Sequence, residues 1–372
     1  MTVIIFIIVL AILIFVHELG HFLLAKWNGI RVDEFKIGFG PKILWKKYGE
    51  TVYGINLIPF GGYVKIHGEN PEEDKDTKDT DSKRSFIHKN PLQQIVVLVA
   101  GVVFNFIFAW IIYSMAYTSG INTTALGHEK YSRYISDQKI SILQVSKGSP
   151  AEKAGLKVGD VIVPDKIIKN SSELNDPERA ITRIQDYIND SKGENISLTY
   201  KRGLDEYNVE LKPISGIVAD RYAIGIAMGN VVSMKLPLHL AIYEGGKYTL
   251  YMIKETAVGL YHFVANIFVG KADFSDVAGP VGIAGIVGDA ASMGFIYLAM
   301  ITAIISINLG VINLVPFPAL DGGRVLFVII EAVIRRRIPA KFFNIVNTVG
   351  FVLLMILMVV VTYRDILKLF HN

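Results

Sequence analysis

Four long apolar runs constrain the fold of this chain more than any other feature of its sequence. They cover residues 3–25, 92–117, 295–315 and 343–363. A helix needs about 20 apolar residues to cross the hydrocarbon core of a bilayer. The composition agrees, because hydrophobic residues make up 51% of the chain and charged residues 19%, with a mean hydropathy of +0.40. The sequence therefore predicts a polytopic α-helical membrane protein with about four transmembrane helices.

The composition also excludes several kinds of site and partner. A net charge of +4 is small for 372 residues, so nucleic acid is not an expected partner, whereas membrane lipid is. The chain has no cysteine, so disulfides and thiolate metal sites are excluded, and any metal must be held by His, Asp or Glu. The first apolar run has no basic segment before it and is interrupted by a His-Glu pair, which disfavours a cleaved signal peptide.

The distribution of Lys and Arg predicts how the chain is oriented. Basic residues are concentrated after the first run, before the second, and between the third and fourth. Because cytoplasmic loops carry an excess of Lys and Arg, residues 29–91 and 318–342 are expected to be cytoplasmic. The segment between the second and third runs then lies outside, and the expected location is the inner (cytoplasmic) membrane of the cell.

Changes in composition divide the chain into segments. In chain order we predict a first transmembrane helix (1–28), a cytoplasmic or membrane-re-entrant β segment with a charged linker (29–91), a second transmembrane helix (92–117), an extracytoplasmic α+β domain (118–215), an outer amphipathic and Gly-rich segment (216–294), a third transmembrane helix (295–317), a cytoplasmic segment containing LDG (318–342), a fourth transmembrane helix (343–363) and a tail (364–372). Within the second segment, TVYGINLIPFGGYVKIHG predicts short strands or a hairpin, and NPEEDKDTKDTDSKR predicts a solvated linker.

The first apolar run contains HELGH, an H-E-x-x-H pattern made by His17, Glu18 and His21. On a helix, positions i and i+4 lie on one face, so both imidazoles can reach one Zn²⁺, and the glutamate is then placed to take a proton from water. An ionised side chain at mid-membrane costs at least ~2.5 kcal/mol. A zinc site in a water-accessible cavity compensates for that cost, and it is favoured over three buried groups that pair with other helices.

Catalytic zinc needs a third protein ligand. The remaining histidines fall in predicted loops or near surfaces: His67, His88, His128, His239, His262 and His371. Asp321 follows the third apolar run in NLVPFPALDGGR, where Pro316 and Pro318 break the helix and let the carboxylate project from irregular backbone. Asp321 is therefore the predicted third ligand, and the alternative is that it only caps the next helix.

The stretch SKGSPAEKAGLKVGDVIV predicts a short capped helix in the outer domain. Ser149 is the expected N-cap, with Pro150 first in the helix, Glu152 completing a capping box and Gly155 at the C-terminal end. A second helix is expected from about Asp176, followed by strands. The stretch resembles PDZ domains of bacterial proteases, which implies binding of extended chain ends at a sheet edge. The alternative is a spacer domain that binds no peptide and only keeps bulky molecules away.

Together and in this order, HELGH, the PDZ-like domain and NLVPFPALDGGR resemble the site-2 protease family, and most of all its bacterial regulator-of-sigma-E-protease type with a single PDZ domain. The resemblance implies an intramembrane zinc endopeptidase that cleaves the transmembrane segments of single-span substrates, such as anti-sigma factors or remnant signal peptides. It also implies a site-1-type protease acting upstream. It assigns His17, His21 and Asp321 as zinc ligands and Glu18 as the catalytic base.

The resemblance extends to substrate-binding positions. Asn313 matches a family asparagine that engages the substrate backbone, and Gly61 and Gly62 lie in a stretch that matches the family's membrane-re-entrant β element. Asn105 is retained in AGVVFN, although Val102 stands where the family often has proline. These four residues, Asn313, Gly61, Gly62 and Asn105, are the predicted substrate-binding set.

Two other classes of protein were weighed. A catalytically inactive membrane adaptor would use the PDZ-like domain alone and would need no stoichiometric zinc. A transporter would explain ionisable residues within the membrane, but an inverted repeat is not evident in the sequence.

Overall fold

The computed structural model describes residues 1–69, 82–124, 129–164, 167–168, 176–203, 205–218, 221–271 and 277–370. Residues 70–81 of the predicted charged linker lie outside this part of the chain, as do His128 and His371. The chain forms two compact units. Unit 1 consists of Met1–Ala116 and Leu238–Asn372, and unit 2 consists of Tyr117–Pro237.

Among the described residues, four helices of unit 1 are long and apolar enough to cross a membrane. They are α1 (Thr2–Trp27), α2 (Pro91–Ser119), α7 (Phe295–Asn313) and α9 (Ala340–Phe370). Only 11–39% of the most apolar stretch of each helix is buried inside the protein, so most of this apolar surface is available to lipid. The four predicted apolar runs are thus confirmed as helices of sufficient length.

Within its described residues, unit 1 also has the α-helices α5 (Leu238–Phe268), α6 (Pro280–Met293) and α8 (Asp321–Ile334). α5 packs through Tyr248 against Tyr113 of α2, with ring centroids 4.8 Å apart. α6 packs against α1 and α7, and its first turn is held by Asp365 of α9, whose Oδ2 accepts the Gly282 N–H at 2.7 Å. Much of the expected outer Gly-rich segment is therefore packed helix.

Two long strands, β1 (Val32–Tyr48) and β2 (Thr51–Ile66), form a sheet beside α1. Residues 34–37 pair with residues 65–62 on one side and with residues 52–55 on the other. Residues 42–48 pair with 56–51. Residues 34–37 therefore lie in the middle of the sheet, and the segments 42–48 and 61–66 form its edges. For TVYGINLIPFGGYVKI the prediction of strands is confirmed, whereas the alternative of a hairpin within this stretch is not, because both halves of β2 pair with β1 and not with each other.

Aromatic contacts hold this sheet against the C-terminal half of α1. The ring of Phe35 packs edge-on against Phe15 and Phe22, with centroid distances of 5.8 Å and 5.2 Å. At the turn between the strands, Glu50 forms ion pairs with Lys26 at the end of α1 and with Arg84. The sheet consequently runs along α1 from the level of Lys26 towards its centre.

Unit 2 is built on a six-stranded sheet in the order β3-β10-β4-β5-β6-β7. The strands are β3 (Ile121–Thr124), β4 (Ile135–Val145), β5 (Val161–Ile162), β6 (Ile196–Arg202), β7 (Asp205–Leu211) and β10 (Ile226–Met234), beside a small pair of β8 (Ile214–Val218) and β9 (Arg221–Ala223). The helices α3 (Pro150–Lys153) and α4 (Pro177–Asp190) cover it. Fully buried Ile142, Ile162, Ile184 and Leu198 form the centre of the core.

The predicted cap of the first short helix is present, since Ser149 Oγ accepts the Glu152 N–H at 3.2 Å. The predicted end of the outer domain at residue 215 differs from the structure. β10 pairs with both β3 and β4, so residues 216–237 belong to unit 2 and not to an outer amphipathic segment. The alternation in IAMGNVVSM is the strand pattern that marks this extension.

Candidate metal centre

Two histidines of α1 and one aspartate of α8 bring three ligand atoms together. Nε2 of His17 lies 3.0 Å from Oδ2 of Asp321, and Nε2 of His21 lies 3.3 Å from the same oxygen. The two Nε2 atoms are 3.2 Å apart. Both imidazoles are buried and the carboxylate is half-buried, and within the described part of the chain this is the cluster of such side chains that could hold a metal ion.

The separations fit one tetrahedral metal ion. Zinc binds His nitrogen and carboxylate oxygen at about 2.0–2.1 Å, which places two tetrahedral ligand atoms about 3.3 Å apart. The observed separations of 3.0–3.3 Å are of that size. Three protein ligands leave the fourth position for water or substrate, as in catalytic zinc sites.

The hydrogen bond on the other side of the His21 ring prepares Nε2 for a metal. Nδ1 of His21 lies 2.9 Å from the carbonyl oxygen of Val97 in α2. A carbonyl oxygen only accepts, so Nδ1 carries the proton and donates it. In the neutral ring, Nε2 then presents a lone pair towards His17 and Asp321.

Asn105 of α2 has the same relationship to His17. Its carboxamide lies 3.2 Å from Nδ1 of His17, and its Oδ1, as placed, is buried without a hydrogen-bond partner among the described residues. Exchanging the similarly shaped oxygen and nitrogen lets Oδ1 accept the Nδ1–H of His17. Nε2 of His17 then also presents a lone pair. Two lone pairs and a carboxylate converge in this arrangement, and one metal cation between them would satisfy all three.

This contact changes the role of Asn105. The resemblance implied that it binds substrate, but its side chain is fully buried and contacts a predicted metal ligand. Its backbone carbonyl is also occupied, because it accepts the Ser306 hydroxyl of α7 at 2.9 Å. The structure places Asn105 where it can orient His17, and its assignment to substrate binding stays a prediction.

Glycines allow α2 to approach the two imidazoles closely. A Cβ on Gly101 would lie 2.7 Å from Cε1 and 2.9 Å from Nδ1 of His17, closer than side chains can pack. On α1, a Cβ on Gly20 would lie 2.8 Å from the carbonyl carbon of Ala100. Gly101 and Val97 were missed as site residues. Gly101 and Asn105 are spaced i, i+4 on α2, which is the signal in the sequence that could have found them.

The irregular backbone between α7 and α8 fixes the position of Asp321. A Cβ on Gly322 would lie 2.5 Å from the carbonyl carbon of Leu314, so only glycine lets this segment fold back onto the start of α8. Ala319, with a φ of +73°, donates its N–H to Oδ1 of Asn347 at 3.1 Å. Asp321 is the first helical residue and Leu320 is the N-cap, so the alternative that Asp321 only caps α8 is not supported.

Glu18 is half-buried next to the ligands and lies within electrostatic range of all three. On its other side it faces the edge of the β1–β2 sheet, where a Cβ on Gly62 would lie 3.5 Å from Cγ of Glu18. Gly61, with a φ of +108°, begins that edge. Asn313 is the half-buried last residue of α7, and the hydrogen bonds found in the described regions do not join it to the three ligands.

Comparison with known proteins agrees with this geometry. The chain matches the model of peptidase family M50 over residues 5–357. It is 38% identical to a protein of Clostridium perfringens, over 95% of each chain, and 37% identical to one of Clostridium acetobutylicum, over 98% of this chain and 97% of the relative. A protein of Nostoc sp. is 35% identical over 95% of this chain and 93% of its own. Each relative carries the name "putative zinc metalloprotease".

The chain therefore belongs to peptidase family M50, the zinc-dependent site-2 protease family. Membership confirms the predictions of a zinc metalloprotease and of its zinc cofactor. Together with the four apolar helices, it identifies a multi-pass membrane protein.

Proposed function

We propose that the protein is an intramembrane endopeptidase that cuts the transmembrane segments of single-span membrane proteins. One observation carries the proposal: the three-residue metal centre is built on a helix long and apolar enough to span a membrane. His17 lies nine residues before Lys26 near the end of α1, which is about 14 Å along a helix axis. That distance is nearly half the roughly 30 Å thickness of a hydrocarbon core.

The residues of the site suit peptide hydrolysis. Zinc held by His17, His21 and Asp321 supplies Lewis-acid polarisation of the scissile carbonyl and makes water more acidic. Glu18, next to the ligands, accepts a proton from the attacking water and returns it to the leaving amine. Asn313, at the end of α7, is proposed to hold a backbone group of the substrate.

A substrate helix must unwind before it is cut, because its peptide groups are hydrogen-bonded within the helix. The freed groups need partners where water is scarce. Residues 61–66 pair with β1 on one side and form an edge of the sheet in the described part of the chain. We propose that the unwound segment adds here as a strand, with Gly61 and Gly62 allowing close approach beside Glu18.

The sheet is proposed to re-enter the membrane beside α1. Glu50 forms an ion pair with Lys26 at the end of α1. Gly62 lies beside the middle of α1, where a Cβ added to it would meet Ile14 and Glu18. The opposite edge exposes Ile43, Leu44 and Trp45, which are 54–65% exposed and suited to lipid. Backbone at this depth is tolerated only where it is paired or lines a cavity, and a sheet provides such pairing.

Unit 2 is proposed to be a PDZ-like domain on the outer side of the inner membrane. Between α4 and the strands β9 and β10 it has a cavity of about 490 Å³, lined by Gln185 and Ile188 of α4 and by residues 221–228. A groove between a helix and a strand suits an added peptide strand. We propose that this unit admits only substrates already shortened by a site-1-type protease. The metal centre then lies towards the cytoplasmic side.

The test compares purified wild type with Glu18→Gln, each reconstituted with a model single-span substrate. Anti-sigma factors and remnant signal peptides are the substrate classes to try first. We expect stoichiometric zinc in both proteins, cleavage only by wild type, and product masses that place the cut inside the transmembrane segment. Cleavage confined to soluble segments would overturn the proposal. Zinc-loaded wild type without activity would favour the adaptor, an alternative that the family membership does not support.

A further inference from the structure

Glu34, Lys36 and Tyr63 form a hydrogen-bonded network in the β1–β2 sheet. Tyr63 Oη donates to Oε2 of Glu34 at 2.7 Å, and the ammonium group of Lys36 donates to the same oxygen. Nζ of Lys36 also lies 5.6 Å from the centroid of the Tyr63 ring. The Lys36 side chain is only 2% exposed, which is rare for a lysine without a structural reason. The reaction described above uses none of these groups.

The network joins the middle of the sheet to the edge that faces Glu18. Lys36 is the direct cross-strand partner of Tyr63, and Glu34 is the partner of Lys65. Side chains alternate between the two faces of a strand. Phe35 and Gly62 contact α1, so Glu34, Lys36 and Tyr63 lie on the opposite face. The three side chains therefore link residues 34–37 to residues 61–66 without touching α1.

This edge needs such a link to hold one register. Gly61 and Gly62 offer no side chains for cross-strand contacts, and glycine-rich strands specify register weakly. Along this edge the pairing already shifts once, between the pairs Val32–Ile66 and Glu34–Lys65, and it is regular from Lys65 to Gly62. A charged, hydrogen-bonded network in surroundings of low dielectric favours the one arrangement that satisfies it.

We propose that the Glu34–Lys36–Tyr63 network sets the register of the edge strand and thereby selects which peptide bond is cut. The inference rests on the proposed addition of the substrate to residues 61–66. Gly62 lies beside Glu18, since a Cβ added to it would be 3.5 Å from Cγ of Glu18, so the position of Gly62 along the sheet decides which bond of an added strand faces the base. Lys36, Glu34 and Tyr63 are positioning residues, because they act through the edge strand and not on the reacting atoms.

The experiment maps cleavage sites by mass spectrometry with full-length protein and a single-span substrate. Lys36→Met removes the ammonium group from the network, Tyr63→Phe removes the hydrogen bond that joins the edge strand to Glu34, and Lys36→Arg keeps the cation. Thr51→Val is the matched control, since the Thr51 hydroxyl makes a buried bond to the Val32 carbonyl at 2.7 Å in the same sheet, far from Gly62. We expect a tenfold larger share of product from bonds about two residues away in the first two variants, because a two-residue slip keeps side chains on the same face.

Lys36→Arg and Thr51→Val should retain the wild-type distribution of products. Zinc content should match wild type in all four variants, and the product ratio does not depend on how much active protein is recovered. If Lys36→Met fails to fold, the Tyr63→Phe variant tests the inference by itself, because it removes only one oxygen atom and disturbs the fold less. An unchanged distribution in Tyr63→Phe, at whatever rate, overturns the inference. Absence of cleavage by zinc-loaded wild type is a different result, and it overturns the proposed function instead.

Discussion

The Asn105 carboxamide lies 3.2 Å from Nδ1 of His17, on the side of the imidazole opposite Asp321. His21 has the equivalent arrangement, with the Val97 carbonyl 2.9 Å from its Nδ1. Both partners come from α2, a helix that contributes none of the three predicted ligands. The candidate metal centre therefore involves three helices: α1 and α8 carry the predicted ligands, and α2 carries the partner of Nδ1 of each histidine.

Replacing Asn105 should weaken the metal centre without removing a ligand. Asn105→Ala deprives His17 of the group that holds its proton on Nδ1, and loss of such partners typically costs ~10–100-fold in metal affinity or activity. Zinc competition with a chelator measures the effect. Asn308→Ala is the matched control, since Asn308 lies on α7 and accepts the Thr256 hydroxyl at 3.1 Å. Equal zinc affinity in both variants would contradict the role of Asn105.

Gly101 should not tolerate even one added carbon. The Cβ of Gly101→Ala would lie 2.7 Å from Cε1 of His17, so the ring must move. A displacement of about 1 Å in a catalytic group can lower the rate ~100-fold. In Gly259→Ala on α5 the new Cβ meets nothing within 4 Å, and alanine favours a helix by roughly 1 kcal/mol over glycine. We expect turnover to fall in the first variant and stay unchanged in the second, and full activity of Gly101→Ala would refute this packing argument.

The sequence pointed to the three residues that the structure brings together, because their signals are local or strongly constrained. The spacing of His17 and His21 places them on one helix face, and the proline-rich segment before Asp321 marks irregular backbone after an apolar run. The four apolar helices were equally predictable, since length and hydropathy alone define them. The roles of His17, His21 and Asp321 as zinc ligands, and of Glu18 as the base, stay predictions.

Features that depend on pairing between distant segments were harder to predict. The partners of β2 are residues of β1, and nothing in TVYGINLIPFGGYVKI alone distinguishes that pairing from a hairpin. The end of unit 2 was predicted too early, at residue 215, because β10 pairs with β3 and β4 across roughly 80 to 115 residues of chain, and no local pattern marks such pairing. The contact of Asn105 with His17 was not predicted, because a motif match gives a residue's presence but not the direction of its side chain.

Proline in the open sheet edge should reduce turnover while zinc remains bound. Successive backbone N–H groups of a strand point to opposite sides, so one of Val64 and Lys65 directs its N–H towards the open edge. Val64→Pro and Lys65→Pro are compared with Val64→Ala and Lys65→Ala, which shorten the same side chains but keep the N–H. We expect one proline variant to keep its zinc and lose at least about tenfold in turnover, which corresponds to ~1.4 kcal/mol. If each proline variant matches its alanine counterpart, the substrate does not bind along this edge.

Removal of unit 2 should release cleavage of substrates that still carry a large outer domain. The two ends of the unit meet, because the Leu236 N–H donates to the Tyr117 carbonyl at 2.8 Å. A short Gly-Ser linker can therefore replace residues between them without stretching the chain, and every residue of the metal centre lies in unit 1. If unit 2 excludes substrates with a large outer domain, the shortened protein should cut intact substrates that wild type leaves uncut. Both proteins should cut pre-shortened substrates. Glu18→Gln in the shortened protein shows that any new cleavage uses the same site. If the shortened protein cuts pre-shortened substrates but still leaves intact substrates uncut, unit 2 is not the filter. Its metal centre would then be active, and it would still distinguish intact from shortened substrates.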